Sequence, residues 1–110
     1  MTMEAKIQEL IDKCNNKMAE NEEMRKEVES LKKVFNFDLD TEKYSMKLEN
    51  AKIGDFKPEF AENADVVVTT TPEYFEQLLS GDLRPMRAYI TKKITIKGKI
   101  QDLMFLKKFF

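Results

Sequence analysis

The fold of this chain is decided by residues 64–98, which read ADVVVTTTPEYFEQLLSGDLRPMRAYITKKITIKG. The first eight residues, Ala64–Thr71, are rich in β-branched side chains and predict a strand. Residues 71–73 (Thr-Pro-Glu) then provide an N-cap, a proline at the first helical position and an acid in the first turn. A helix is therefore predicted to follow the strand directly and to end at Gly81.

The remainder of that stretch predicts one more helix and one more strand. A short helix is expected over Pro85–Ile90. Ile94 and Ile96 alternate with polar residues, which is the pattern of a strand with one buried face, and Gly98 ends it.

The first thirty residues predict two helices. Apolar side chains recur at helical spacing over residues 4–18. They are Ile7, Leu10, Ile11, Cys14 and Met18. Asn21 is expected to cap a second helix, so we place a break near Glu20–Asn21. A single long coiled-coil helix is disfavoured, because its seam would contain a cysteine, a lysine and an asparagine.

Residues 34–56 predict three strands. Val34–Leu39 and Tyr44–Glu49 alternate between apolar and polar side chains, and residues 40–43 (Asp-Thr-Glu-Lys) form a connection of hairpin length. A weaker third strand is expected near Lys52–Phe56. Two alternating strands predict a sheet with one buried face.

The composition excludes much catalytic chemistry. The 110 residues are the length of one ordinary domain, which we expect to span residues 1–110. Without histidine there is no histidine-activated nucleophile and no histidine-ligated metal. The single cysteine, Cys14, makes neither an intramolecular disulfide nor a thiolate zinc site. We therefore expect no metal, no cofactor and no enzymatic activity.

The hydropathy pattern predicts a protein of the cytoplasm. No apolar run approaches the roughly 20 residues that a membrane-spanning helix needs, and no signal-peptide segment follows Met1. We expect at most transient contact with a membrane.

The near-neutral net charge of −1 conceals a strong asymmetry. Residues 1–82 carry 11 basic and 19 acidic side chains, whereas residues 83–110 carry eight basic side chains and one acid, Asp102. The basic quarter of the chain either meets an anionic partner or only balances the acidic part. Nucleic acid is a weak candidate, because the aromatic residues of this quarter have the spacing of a helix core.

The C-terminal segment Ile100–Phe110 predicts a terminal helix that is apolar around most of its circumference. Such a helix needs a cover on its second side. A partner chain, an apolar ligand or a membrane surface would provide one. Alternatively, Phe109 and Phe110 fold back over an open edge of the sheet.

Residues 64–106 carry a specific combination of motifs. These are the Ala-Asp strand that begins at Ala64, the turn Leu-x-x-Gly-x-Leu-x-Pro over residues 78–85, and the strand Ile-x-Ile-x-Gly over residues 94–98. In this combination the chain resembles the sterol carrier protein type 2 family of lipid-binding domains. The resemblance implies an α+β fold, a five-stranded, mostly antiparallel sheet with helices packed on one face. It also implies an apolar tunnel between sheet and helices that holds a fatty acid, fatty acyl-CoA, sterol or phospholipid.

The resemblance also suggests which residues form the tunnel, whose closure it assigns in part to the terminal helix. Val66, Val68 and Thr70 would face the buried side of the sheet. The tunnel wall would comprise Phe75, Leu78, Leu79, Leu83, Met86, Tyr89, Ile90, Ile94, Ile96, Ile100, Leu103, Met104 and Leu106. For each of these residues, plain core packing is the competing interpretation. A polar head group would meet Arg84 and Arg87, with Lys92 and Lys93 nearby.

Two positions depart from the family pattern. Lys92 stands where the family often has glycine. The sequence therefore leaves open whether the turn before the last strand has the positive φ that glycine favours. Residues 40–43 replace the usual Asp-Gly hairpin turn.

Two hypotheses of different class follow. The first is a non-catalytic carrier of a lipid or acyl-CoA. The second is an interaction module, in which the apolar segment Ile100–Phe110 forms a homodimer or docks on a larger enzyme.

Overall fold

The computed structural model describes residues 3–99, and within them the predicted order of helices and strands is confirmed. The elements are α1 (Glu4–Glu20), α2 (Glu22–Val28), β1 (Lys33–Asp38), β2 (Lys43–Glu49), β3 (Lys52–Lys57), β4 (Val66–Thr69), α3 (Pro72–Ser80), α4 (Pro85–Ile90) and β5 (Thr95–Lys97). The predicted terminal helix over Ile100–Phe110 lies outside the described residues.

The strands form one five-stranded sheet in the order β3-β2-β1-β4-β5. Strand β1 pairs with β4 in parallel, and the other pairings are antiparallel. The predicted mostly antiparallel sheet is therefore confirmed, with the single parallel pair at its centre. That pair requires a crossover, which residues 39–65 make through the β2–β3 hairpin.

The helices and one face of the sheet share a single hydrophobic core. Its buried residues are Met3, Ile7, Ile11, Cys14, Met18, Val28, Phe35, Phe37, Leu39, Tyr44, Met46, Leu48, Ile53, Val66, Val68, Phe75, Leu78, Leu83, Ala88 and Ile94. The predicted inward positions Val66, Val68 and Thr70 are all buried. Each fully buried aliphatic or aromatic side chain contributes about 1.5–3 kcal/mol, so this cluster is the main source of stability.

The break between α1 and α2 lies at Asn21, as predicted. Its side-chain oxygen accepts a hydrogen bond of 3.0 Å from the Met24 N–H, which caps α2. The same residue ends α1, since its backbone N–H donates to the Lys17 carbonyl.

Strand β4 is shorter than the predicted run Ala64–Thr71, because residues at both ends of that run form hydrogen bonds outside the strand pairing. Asp65 precedes the strand, and its carboxylate accepts a hydrogen bond of 2.8 Å from the Val34 N–H. The Asp65 N–H in turn donates to the Val34 carbonyl, also at 2.8 Å. Thr71 follows the strand and caps α3 by accepting from the Tyr74 N–H.

Two asparagine side chains fasten neighbouring segments to the sheet. The amide of Asn15 on α1 bonds both the N–H and the carbonyl of Ile53 on β3, at 2.8 and 3.0 Å. Asn36 on β1 bonds the N–H and the carbonyl of Ala61 in the same way, at 2.8 and 3.0 Å. Because Asn36 points to the face opposite the helices, it holds the loop before β4 against that face.

Lys92 takes the conformation that glycine would take, which answers the question raised by its departure from the family pattern. Its φ is +61°. The Lys92 N–H donates to the Tyr89 carbonyl, and the Lys93 N–H donates to the Ala88 carbonyl. These two bonds form a Schellman motif that ends α4. The turn geometry is thus kept without the glycine.

A glycine at this position is expected to stabilise the protein. Lys92→Gly removes the strain of a side chain in the left-handed region and raises the free energy of unfolding by about 1 kcal/mol. Urea denaturation measures the change. The matched control is Lys93→Gly, which we expect to destabilise because Lys93 has no positive φ. Equal effects of the two variants would contradict the prediction.

Candidate functional site

The predicted apolar wall begins on α3, at its contact with the sheet. Phe75 and Leu78 are buried, and the Phe75 ring meets the edge of Phe37 on β1 with 5.8 Å between centroids. Helix α3 takes this orientation because Thr71 and Pro72 begin it directly after β4. The first wall residues therefore lie against the core face of the central strands.

The wall continues through the turn between α3 and α4. Gly81 ends α3 with a φ of +87°. Glycine adopts this left-handed conformation readily because it lacks a Cβ atom. The chain then reverses, and Leu83 is buried while its N–H donates to the Gln77 carbonyl at 3.0 Å. On α4, Pro85 and Ala88 face the core.

The last part of the wall comes from β5 and the residue before it. Ile94 is buried and Ile96 is half-buried against the core. The Thr70 hydroxyl donates to the Lys93 carbonyl at 2.9 Å, which joins the end of β4 to the start of this segment. Residues from α3, α4 and β5 are thus brought to one end of the core.

Of the three predicted wall residues on α4, Met86 is half-buried and packs against the core. Tyr89 is 38% exposed and Ile90 is 72% exposed. Their spacing of three and four residues places them on one helix face. The wall therefore passes from the buried core to an apolar surface, which we call the α4 face (Met86, Tyr89 and Ile90).

Leu79 is separate from this face and lines a cleft between α1 and α3. The cleft has a volume of about 470 Å³ and is lined by Lys6, Glu9, Leu10, Asp12, Lys13, Asn16, Glu76, Leu79 and Ser80. An ion pair between Lys6 and Glu76 joins its two sides. Leu10 and Leu79 are its two hydrophobic residues, and the other lining residues are polar or charged.

The predicted head-group residues lie beside the α4 face. Arg84 precedes α4 as its N-cap residue, Arg87 lies within the helix, and both are exposed. Lys93 lies over the Tyr74 ring at 5.7 Å, and Lys92 is exposed. No acidic side chain occurs anywhere in residues 83–99. Arg84, Arg87, Lys92 and Lys93 therefore give α4 and its two ends a positive charge.

The remaining predicted wall residues, Ile100, Leu103, Met104 and Leu106, lie outside the described residues. Their assignment to the tunnel stays a prediction, as does a ligand role for each of the residues above.

Three of the described titratable groups have pKa values shifted from their ordinary range. Burial raises the pKa of the Cys14 thiol to about 11, which keeps it protonated and unreactive. A hydrogen bond between the half-buried side chains of Lys47 and Glu49 raises the pKa of the lysine and lowers that of the glutamate. Among residues 3–99, no group of acidic, cysteine or histidine side chains could hold a metal ion.

The described helices are also too short or too polar to cross a membrane.

Comparison with protein families identifies the family of this chain. The model of the SCP-2 sterol transfer family matches residues 11–110. The chain belongs to this family. Among curated proteins it is 31% identical over 86 residues to hydroxysteroid dehydrogenase-like protein 2 of Rattus norvegicus. That match covers 74% of this chain and 16% of the rat protein. The SCP-2 chain therefore spans only a small part of that relative.

Solved structures of the SCP-2 fold superpose on this chain. Sterol carrier protein 2 from Yarrowia lipolytica, in its apo form, matches with a TM-score of 0.61 and 22% identity, covering 91% of this chain and 82% of that one. The solution structure of palmitated SCP2L2 from Aedes aegypti matches with a TM-score of 0.59 and 18% identity, covering 90% and 88%. At these identities the likeness establishes the fold.

Several polar residues that join distant segments are not identified by the sequence pattern. Asn15 and Asn36 occupy ordinary polar positions of a helix and a strand, although both bond backbone groups of distant segments. Asp65 belongs to the Ala-Asp motif, and its bond to Val34 closes the parallel β1–β4 pair. For Asn36, the place of a polar residue between buried strand residues is the one signal in the sequence.

Proposed function

We propose that this chain binds one lipid molecule and carries it without chemical change. The cargo would lie in an apolar site bounded by the sheet, by α3 and α4, and by the segment Ile100–Phe110. The observation that carries the proposal is the apolar wall that runs from buried Phe75 to exposed Ile90 in a chain of the SCP-2 family. A wall that reaches the surface is suited to admitting a chain-like ligand.

The energetics favour a ligand with a long hydrocarbon chain. Each buried methylene contributes about 0.8 kcal/mol, so ten of them contribute about 8 kcal/mol before the costs of association. The flexible side chain of Met86 adapts to different chain shapes. Met46 and Met104 are proposed to adapt in the same way.

A fatty acid or a fatty acyl-CoA fits the charges beside the wall. The guanidinium groups of Arg84 and Arg87 would meet a carboxylate or a phosphate in bidentate fashion. The palmitated relative from Aedes aegypti supports a fatty acid as the first probe. A non-catalytic carrier also agrees with the protonated thiol of Cys14. The cytoplasmic location remains a prediction from the sequence.

Mass spectrometry of lipids extracted from the purified chain tests this proposal. We expect a lipid with an acyl or sterol-like skeleton, and displacement of a fluorescent fatty acid by palmitate. Met86→Glu is expected to weaken palmitate binding at least tenfold, because it places a charge in the wall. Phe60→Glu, outside the wall, is the matched control. The proposal is contradicted if the extract contains no lipid and the purified chain does not bind palmitate.

The competing hypothesis is an interaction module built on the apolar segment Ile100–Phe110. Light scattering on the full chain and on a chain ending at Asp102 distinguishes the two. Loss of a dimer with unchanged palmitate binding favours the interaction module, whereas loss of palmitate binding favours the carrier.

A further inference from the structure

The two edges of the sheet differ in how their backbone groups are paired. At the β3 edge, the side-chain amide of Asn15 bonds the N–H and the carbonyl of Ile53 at 2.8 and 3.0 Å, as the backbone of an added strand would. Strand β5 forms the other edge and, within residues 3–99, pairs on one side only, with β4. An open edge is a template for an additional strand. The β5 edge is therefore a place where an extended peptide can pair.

The hydrogen bonds of β4 show which backbone groups of β5 face the open side. The Thr70 N–H donates to the Asp38 carbonyl on β1 at 2.9 Å. Backbone groups point alternately to the two sides of a strand, so those of Val68 also point to β1, and those of Val67 and Thr69 point to β5. Val67 and Thr69 thus form hydrogen-bonded pairs with the β5 residues opposite them.

The N–H and the carbonyl of Ile96 consequently point away from the sheet. The residues on either side of it, Thr95 and Lys97, lie opposite Thr69 and Val67, so their backbone groups point to β4. The side chains of Thr95 and Lys97 are exposed, whereas that of Ile96 is half-buried against the core. A strand added here would bond to Ile96 and would place every second side chain beside Thr95 and Lys97.

The side chains around this edge carry charge of one sign. Residues 92–99 contain no acid and four exposed lysines, which are Lys92, Lys93, Lys97 and Lys99. Lysines on an edge strand oppose pairing with an identical edge, because like charges would meet. The same lysines attract a strand with acidic side chains, since opposite charges directly across a strand pair are stabilising.

We propose that the β5 edge binds an acidic, extended peptide segment of another protein as a sixth strand. The peptide backbone bonds to Ile96, and its carboxylates lie beside Lys97 and the neighbouring lysines. Its alternate side chains are apolar and extend the core face of the sheet. A second copy of this chain fits less well, because pairing two β5 edges brings their lysines together. This interaction goes beyond cargo binding, since it uses backbone groups that point away from the core.

The probe is a labelled heptapeptide of alternating glutamate and valine, capped at both ends, because alternation places all its carboxylates on one side. Fluorescence anisotropy measures its binding to the full chain. The sequence control has the same composition in the order Glu-Glu-Val-Val-Glu-Glu-Val, and we expect it to bind at least tenfold more weakly. Two further peptides are N-methylated at all valines or at all glutamates. Strand addition uses one alternate set of amides, so one of these two peptides is expected to lose binding.

Lys97→Glu is expected to weaken binding of the alternating peptide about tenfold, because it replaces an attraction across the strand pair by a repulsion. Lys57→Glu is the matched control, since Lys57 is an exposed lysine on β3, at the opposite edge. We expect this control to bind as the unchanged chain does. Hydrogen exchange of the β4 and β5 amides verifies that the sheet is intact in both variants.

Three results would each overturn the proposal. The first is equal binding of the alternating peptide and its reordered control, which indicates attraction between charges without strand pairing. The second is binding that survives both N-methylations. The third is the absence of binding by the alternating peptide at about 1 mM, the weak end of specific affinities. Palmitate binding is measured separately on the same chain, so this proposal and the carrier proposal fail independently.

Discussion

Phe75→Ala is expected to lower the free energy of unfolding by about 3–5 kcal/mol, the largest effect predicted for a single side chain here. Phe75 is 1% exposed and packs between α3 and the central strands. Its removal deletes buried apolar surface and leaves a cavity that the rigid sheet closes only in part. The edge contact with Phe37 accounts for about 0.5–1.5 kcal/mol of this loss.

Urea denaturation of the lipid-free protein measures this effect. Phe60→Ala is the matched control, because Phe60 is a partly exposed phenylalanine outside the core, and we expect it to cost less than about 1 kcal/mol. If Phe75→Ala does not fold, Phe75→Leu provides a smaller truncation with the same expected sign. A cost as small as that of the control would mean that Phe75 contributes to a ligand cavity rather than to the packed core.

Gly98→Ala is the second large prediction, with an expected loss of about 2–4 kcal/mol. Gly98 follows β5 and has a φ of +138°, a conformation that side-chain-bearing residues rarely adopt. A Cβ at this position would lie 2.9 Å from the Asp65 carbonyl oxygen, which is backbone and has little freedom to move. The alanine therefore strains the β4–β5 pairing, on which the position of Ile96 depends.

Gly54→Ala is the matched control for this change. Gly54 lies in β3, and a Cβ there meets no atom within 4 Å. We expect it to be neutral or to stabilise by about 0.5 kcal/mol, because alanine restricts the unfolded chain. Hydrogen exchange of the β4 and β5 amides should show loss of protection in Gly98→Ala alone. Similar stabilities for the two variants would mean that the approach of Gly98 to Asp65 has no energetic importance.

Local patterns were sufficient for the elements and much of the wall. The caps at Asn21 and Thr71, the alternation in β1 and β2, and the end of α3 at Gly81 depend on neighbouring residues only. The inward positions Phe75, Leu78, Leu83 and Ile94 follow from the same periodicities, because helices and strands bury one regular face. The periodicity does not show whether these residues contact a ligand, because residues of a packed core and of a cavity wall have the same apolar spacing.

Local patterns do not predict the contacts that join distant segments of the chain. The parallel pairing of β1 with β4 brings Asp65 to Val34, and the loop held by Asn36 lies 25 residues further along the chain. The exposure of Ile90 depends on which side of α4 meets the core, and a six-residue helix with mixed side chains leaves that side ambiguous.

The sequence by itself thus determined the order of helices and strands, the family and the charge asymmetry, because each is a property of local spacing or composition. Only the tertiary structure decided how closely Gly98 approaches Asp65 and which apolar side chains reach the surface. These features depend on close approaches between segments far apart in the chain. Such approaches are set by how the elements pack, and packing is a property of the whole molecule.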